Sequence, residues 1–359
     1  MTMVATVIPH SRPTIGEEDL RATAEVLRSG QVAQGPYVER FERAMAGFFG
    51  LQGGVAVSSG TAALELALRA LGIGAGDEVI MPSYVCAAPW LATQRVGAEA
   101  RLVDIDLDTF NIDPVATSRA VTRKTHAIIV PHLFGLPADL TELERLGVPL
   151  IEDCAQTLGV TEAGRPVGTV GRLTVCSFYA TKLLCSGEGG MVLSNEGTLL
   201  DRVKSLREYD GAATLDPASS NLKLTDLQAA LGLSQLGRFQ SFQERRWALA
   251  ATYRKALSST AVVLPSVLPG REHGYYRFII RLPHLKVDPD GLLDLIRTLE
   301  QQGIHCRKPV FRPLHLYLGQ SGFPNSDEAN HTALSIPLYP DLTDKEVRQV
   351  HQSLTKVLS

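Results

Sequence analysis

Between Gly54 and about Asn195 short apolar runs alternate with helical patterns: "GVAVSS" precedes "TAALELALRALG", "EVIMP" precedes "CAAPWLATQRVG", and "ARLVDID", "HAIIVPH", "PLIEDC", "LTVCSF" and "GGMVLS" follow. Runs that are apolar throughout belong to strands covered on both faces, and strands spaced by crossovers make a mostly parallel sheet with helices on either side. The pattern therefore predicts a large α/β domain. In open sheets of this kind ligands bind beyond the carboxyl ends of the strands. The residues that come directly after each run are the ones to inspect for chemistry.

After "NLKLTDLQAA" the pattern turns helical from roughly Thr225 to Leu257, with Leu224, Leu227 and Leu231 on one face, small Ser234 next, and Leu236 and Phe239 resuming the stripe. This stretch is expected to join two lobes. A strand in "YYRFIIRL", a helix near Gly291 to Gln302 and a closing helix capped by Thr343 give a small α+β lobe. A chain of 359 residues suits this division, a large domain over 1–235 that includes an N-terminal arm and a small one over 236–359.

Charge and cysteine usage narrow the class. A net charge of -3 offers no basic footprint for nucleic acid. Cys86, Cys154, Cys176, Cys185 and Cys306 contain no CxxC pair, so neither a disulfide framework nor a structural zinc site is expected. The start "MTMVATVIPHSRP" lacks a basic segment followed by an apolar core, and no run reaches the roughly 20 apolar residues that span a bilayer. The expectation is a cytoplasmic protein that meets small molecules and no membrane.

Three strand ends carry candidate chemistry. In "VSSGTAALEL" a strand runs through Ser59, Gly60 and Thr61 into a helix, whose free N–H groups and partial positive charge make a phosphate seat. Ordinary helix capping explains the same residues. In "PLIEDCAQTLG" Asp153 leaves an apolar strand with Gln156 three residues on; a carboxylate there needs a cationic partner, which a protonated ring nitrogen supplies, or is itself a structural cap. In "SFYATKLLCSGEGG" Ser177 ends a strand and Lys182 follows among small, aromatic and aliphatic residues. A desolvated lysine becomes a nucleophile that forms a Schiff base with an aldehyde, whereas a merely structural lysine lays its stem on apolar surface and reaches water.

Each motif alone is ambiguous, but a phosphate seat, an acid for a ring nitrogen and a Schiff-base lysine on one sheet are the parts that hold pyridoxal 5'-phosphate. In this order they point to Lys182 and Asp153 as the catalytic pair.

The chain resembles the sugar aminotransferases of pyridoxal-phosphate fold type I, the DegT-type branch of the aspartate aminotransferase superfamily. The likeness runs almost end to end through "IPHSRPTIGEEDL", "GPYVERFE", "SSGTAALELAL", "GDEVIMPSYV", "VDIDLDTFNID", "PHLFGLPADL", "IEDCAQTLG", "SFYATK", "GEGGMV", "NLKLTDLQAA" and "FRPLH". It implies a seven-stranded, mostly parallel sheet and a homodimer with shared sites. It implies that Lys182 carries the cofactor and shuttles protons, that Asp153 partners the ring nitrogen, and that Gln156 contacts the ring or its hydroxyl. Gly60, Thr61, Ala62 and Ser177 would hold the phosphate, with Asn221 and Lys223 reaching it from the neighbouring subunit. The substrates implied are L-glutamate or glutamine as amino donor and a nucleotide-linked keto sugar as acceptor, with a keto-cyclitol or similar carbonyl in antibiotic assembly as the alternative. A dehydratase of the same fold lacks the lysine, so Lys182 argues against it. A pyridoxal-phosphate-binding regulator without turnover is the rival of another class.

The sequence departs from the family in two places. Where an aromatic side chain usually covers the cofactor ring stands Cys86, which leaves the thiol, Tyr84 or Trp90 to cover it. The usual HY ahead of the "PLH" stretch is replaced by Pro309 and Val310, and Arg307, His315 and Tyr317 are candidates to face the substrate from the small lobe.

Overall fold

The computed structural model describes residues 7–210, 216–285 and 290–358; the start read above for a leader, Met1 to Thr6, lies outside them. Its strands are β1 (Gly53–Val57), β2 (Glu78–Pro82), β3 (Glu99–Val103), β4 (Thr125–Pro131), β5 (Leu150–Asp153), the two-residue arms β6 (Thr161–Glu162) and β7 (Arg165–Pro166), β8 (Leu173–Ser177), β9 (Gly190–Ser194), β10 (Phe278–Arg281) and β11 (Ala333–Ile336). Seven of them form one sheet in the order β1-β9-β8-β5-β4-β2-β3. Neighbours pair in parallel from β8 across to β3, while β9 runs antiparallel to both β1 and β8.

Alternation along each strand explains why the runs are apolar throughout. Val55 and Val57, Val79 and Met81, and Ala127 and Ile129 enter one buried cluster with the helix Gly60–Ala70. Ala56, Cys176, Met191 and Leu193 face the opposite side, against Phe41, Met45 and Phe49 of the helix Pro36–Phe49. Ile80, Ile128 and Val130 fill a further cluster on that second face. With helices on both sides the central strands have no wet face, while the edge strand β3 exposes Glu99 and Arg101, and the carboxyl ends of β1, β2, β4, β5 and β8 are left as one open edge.

A separate cluster gathers β10 and β11 with the helices Phe239–Leu257, Gly291–Gln301 and Asp344–Leu358. The arm residue Ile8 packs into it, and its backbone bonds Gly303 and His305. Thr343 caps the closing helix as expected, exchanging hydrogen bonds with Glu346. Among the described residues no helix is long and apolar enough to cross a membrane.

The continuous helix expected over 225–257 is two helices, Asp226–Gly237 and Phe239–Leu257, broken at Arg238. Arg238 leaves helical geometry with its guanidinium bound to Asp19, and Gly237 before it offers little resistance to a break. The leucine stripe differs as well. Leu227, Leu231 and Leu236 are half-buried, and the inward face carries Asp226, Ala229, Ala230, Gly232 and Gln235. Small residues are needed there because Phe41 lies so close that a Cβ on Gly232 would meet its ring at 2.7 Å. The two polar ones tie neighbouring segments: Asp226 accepts N–H bonds from Gly35 and Val38, and Gln235 donates to Asp19.

The "GEGG" run has a geometric cause. A Cβ at Gly190, the first residue of β9, would come within 2.3 Å of the Ser59 carbonyl oxygen, so β9 can pass the β1–helix turn only as glycine. Gly190→Ala is expected to lose about 3 kcal/mol or more of stability, because the clash is with backbone that cannot step aside. Denaturant unfolding of both proteins measures it; an unchanged midpoint would show the turn to be adjustable.

Candidate active site

The open edge of the sheet encloses a cavity of about 260 Å³ lined by Gly60, Thr61, Cys86, Asp153, Gln156, Ser177 and Lys182, together with His132, Tyr179 and Glu188. Eight residues named from sequence, Ser59 among them, thus meet in one space. Ser59 is extended, and its Oγ accepts the Ala62 N–H at 3.1 Å, which leaves the N–H groups of Gly60 and Thr61 at the mouth of the helix. Ala62 does not line the cavity, since its N–H is taken by this cap.

Asp153 ends β5, and its Oδ1 accepts one hydrogen bond, from the Ala155 N–H at 3.0 Å. Burial pushes its carboxyl above the usual range, with Ala155, Lys182 and His132 pulling the other way. A buried acid whose charged form is under-supported is a receptor for a cation. Gln156 spends its amide oxygen on the Phe134 N–H at 3.0 Å, which turns its amide N–H₂ to the cavity. Lys182 is half-buried in a turn where its N–H meets the Tyr179 carbonyl, and no ion pair holds its Nζ among the described residues.

Next to Asp153 in sequence, but on the opposite face of β5, is Glu152, fully buried. It accepts N–H bonds from Gly168, Val170 and Gly171 and one from His132 Nε2 at 3.0 Å. His132 must be in its Nε2–H form, because its Nδ1 accepts the Ala138 N–H. Burial opposes the Glu152 charge, yet the His132 bond and the Gly171 and Gly168 N–H groups outweigh it and hold its carboxyl below the usual range. Glu152, His132 and Cys154 stand within 4.8 Å of one another, but these hydrogen bonds already occupy the first two, so the cluster is not a metal centre.

Tyr276 is the residue that sequence reasoning passed over. Lys182 Nζ stands 5.3 Å from its ring centroid, and the Arg277 guanidinium lies 4.6 Å from the same ring and donates to its hydroxyl at 3.2 Å. Its place is set by "HLFG": Gly135, at φ 103°, has the Tyr275 and Tyr276 N–H groups so near that a Cβ would meet them at 2.5 and 2.6 Å. "YYRFIIRL" reads as a strand, yet β10 starts only at Phe278, and nothing local marks the tyrosine before it.

Other expectations are corrected or displaced. Cys86 faces the cavity with its surface open to it, although protein on all other sides raises its thiol above the usual range. Tyr84 is fully buried, stacked on Phe110 and bonded to the Ala329 carbonyl, and half-buried Trp90 packs into the core. Neither lines the cavity. Asn221 and Lys223 do not line it either: Asn221 is exposed, and Lys223 pairs with Val57 and points its Nζ over Tyr209. The backbone between them accepts the Ser58 N–H, so the segment borders the phosphate seat. His315 is buried between Ser83 and Asp327, which makes it a structural link, and Tyr317 lies under the Arg312 guanidinium. Arg307 lines a different cavity.

A helix mouth, an under-supported buried acid, a free amide donor and an unpaired lysine fit pyridoxal phosphate group for group. Fold and site thus define an aminotransferase of the pyridoxal-phosphate class. The comparisons agree, since residues 13–355 match the DegT/DnrJ/EryC1/StrS aminotransferase family, and the chain belongs to it. It is similar to the spore coat polysaccharide biosynthesis protein SpsC of Bacillus subtilis (strain 168), 33% identical over 98% of this chain and 97% of that one. The PLP-form of the putative sugar aminotransferase Spr1654 from Streptococcus pneumoniae superimposes with a TM-score of 0.91 at 27% identity, covering 98% of this chain and all of that one. DesI, crystallised in the presence of its TDP-sugar product, gives 0.91 at 28%, covering 99% of this chain and 93% of that one.

The Tyr276 environment makes a pH prediction. Burial alone would raise the phenol, but the Lys182 and Arg277 cations outweigh it and bring it down to about 8. Because the folded value lies below the unfolded one of about 10, the phenolate adds stability as pH rises from 8 towards 10 and none below that window. In cofactor-free protein, ultraviolet titration is expected to show one tyrosine ionising near pH 8. That step disappears in Tyr276→Phe and moves up in Lys182→Ala; a wild type without it would refute the reading.

Proposed function

We propose that this aminotransferase carries an amino group from L-glutamate, or glutamine, to the carbonyl of a nucleotide-linked keto sugar in amino-sugar biosynthesis. The observation that carries the reading is Lys182, unpaired in one cavity with Asp153 and the helix mouth at Gly60. The sugar class is supported by what the relatives are named for, a coat polysaccharide for SpsC and a TDP-sugar product for DesI.

Bound here, pyridoxal phosphate supplies an electron sink for the bonding pair released when the donor loses its Cα proton. Gly60 and Thr61 N–H groups and the Ser177 hydroxyl would hold its phosphate, Asp153 would keep its ring nitrogen protonated, and Gln156 would donate to its hydroxyl. Lys182 holds the cofactor between turnovers. Free when the donor is bound, its Nζ would be the base that takes the Cα proton in the first half reaction and the acid that delivers one to the former carbonyl carbon of the acceptor in the second. A single base that serves both halves has to be tethered beside the reacting carbons, which the short turn at Tyr179 provides. The Cys86 side chain, small and open to the cavity, would sit against the ring where relatives place an aromatic.

We further propose a homodimer, divided in each chain into lobes near residue 235, in which Asn221 and Lys223 complete the neighbour's phosphate seat. Asn221 is exposed and Lys223 half-buried beside a seat that neither lines, which supports an action across subunits.

Adding L-glutamate to the cofactor-loaded protein is expected to replace the visible band of the Lys182-bound cofactor with that of pyridoxamine phosphate. Lys182→Ala is expected to bind cofactor and lose turnover by 10³-fold or more, on the order of a general base and covalent anchor together. Retention of full activity by that variant would remove the assignment, and an unchanged band with glutamate and glutamine would favour a regulator. For the shared site, mixing Lys182→Ala chains with Asn221→Ala/Lys223→Ala chains should restore activity, since a hybrid dimer holds one intact site. No recovery on mixing would mean that each chain builds its own.

A further inference from the structure

A second cavity, of about 870 Å³, is lined by His10, Arg277, Arg307, Lys308, Arg312 and Asn330 among others. It lies within the range of small-molecule sites. Four cationic side chains face it and no carboxylate among the described residues lines it; Glu300 pairs with Arg307 from outside. His10 adds no charge: its Nδ1 accepts from Arg277, its Nε2 faces Ser335, and burial beside Arg277 and Arg307 lowers it to about 2. Three cations thus remain without an anion among the described residues. Lys308 is half-buried with no hydrogen bond or ion pair there, and burial holds its ammonium below the usual lysine range. Independently, Asn330 is 7% exposed and its Oδ1 has no partner among the described residues. A buried acceptor left open costs stability unless a ligand brings a donor.

We propose that this cavity binds the diphosphate of the acceptor substrate, with Lys308 and Arg312 on the phosphates and Asn330 accepting from a sugar hydroxyl. The ligand class follows from the charge. One carboxylate would leave two cations stranded, whereas a diphosphate ester brings at least two negative charges and enough oxygens for forked guanidinium contacts. Arg277 is shared: one side faces this cavity, and the other rests on Tyr276, which touches Lys182. A guanidinium that lines this cavity and the lysine that lines the first thus lie against one aromatic ring, close enough for one substrate to serve both. This inference rests on the sugar-nucleotide reading given above, and it locates the anion which that reading requires.

The test is calorimetric titration of cofactor-loaded protein with pyrophosphate and with inorganic phosphate, without an amino donor. Loading fills the helix mouth at Gly60, so that seat cannot compete. Pyrophosphate is expected to bind one per chain, at least tenfold more tightly than phosphate, and more weakly as salt rises. Lys308→Gln and Arg312→Gln should each weaken it by about tenfold or more, the usual loss for a charge-assisted hydrogen bond. Arg312 also donates to the Leu316 carbonyl, so its variant carries a structural risk that Lys308→Gln avoids. Absence of binding, equal affinity for the two anions, or unchanged affinity in Lys308→Gln would each overturn the proposal. Equal affinity would point to a simple phosphate ester. Since no donor is present, this result and the glutamate-driven change at the cofactor can fail separately.

Discussion

The structure depends on a carboxylate that never meets water. Glu152 sits in the middle of the sheet with four donors on its two oxygens, three from the 168–171 turn and one from His132 at the end of β4. Such a group is stabilising only while every donor stays in place, and removing one side of the arrangement typically costs 3–5 kcal/mol. Its effect is to lock the ends of β4 and β5 to the turn that leads into β8. Because side chains alternate along a strand, fixing Glu152 on one face aims Asp153 out of the other, into the cavity. The edge that opens into the cavity is therefore positioned by a carboxylate that does not line it.

Much of this was legible from residue order. Asp153 and Ser177 end strands and Lys182, Gly60 and Cys86 follow strand ends, and a parallel sheet gathers such residues whatever the loops do. Residues whose role depends on a distant partner were not legible. Glu152 looks like one more polar residue in "PLIEDC", and only the 168–171 turn reveals what it does. Tyr276 is adjacent to Lys182 because Gly135 admits its backbone, a contact between segments 141 positions apart by their numbers in the chain. Leu227 and Leu231 followed the helical period, but tight packing against Phe41 gave the inner face to small residues instead. The period reports that a helix has an apolar side without saying which neighbour it must fit.

Tyr276 and Arg277 link the seven-stranded sheet to the β10–β11 cluster. Their backbone is pinned beside β4 through the Phe134 carbonyl, and they lead directly into β10. A cation that lines the second cavity and the lysine of the first thus act on one ring. An anion arriving at Arg277 would weaken that guanidinium's hold on the phenol, so filling one cavity alters the charge balance felt in the other.

The empty charge balance of the first cavity has a simple reading. Asp153 is buried with one donor and its charged form under-supported, while Lys182 has no counter-ion among the described residues although the two belong to the same space. A direct ion pair would satisfy both and leave nothing for a ligand to gain. Holding them apart in separate turns, on the ends of β5 and β8, keeps the acid waiting for a cation and the amine waiting for a carbonyl. One molecule with a basic ring nitrogen, an aldehyde and a phosphate answers both demands and the helix mouth as well, and each of its contacts strengthens the case for the others. The selectivity of the site for its cofactor is thus set by the distance at which the fold keeps two opposite groups unpaired.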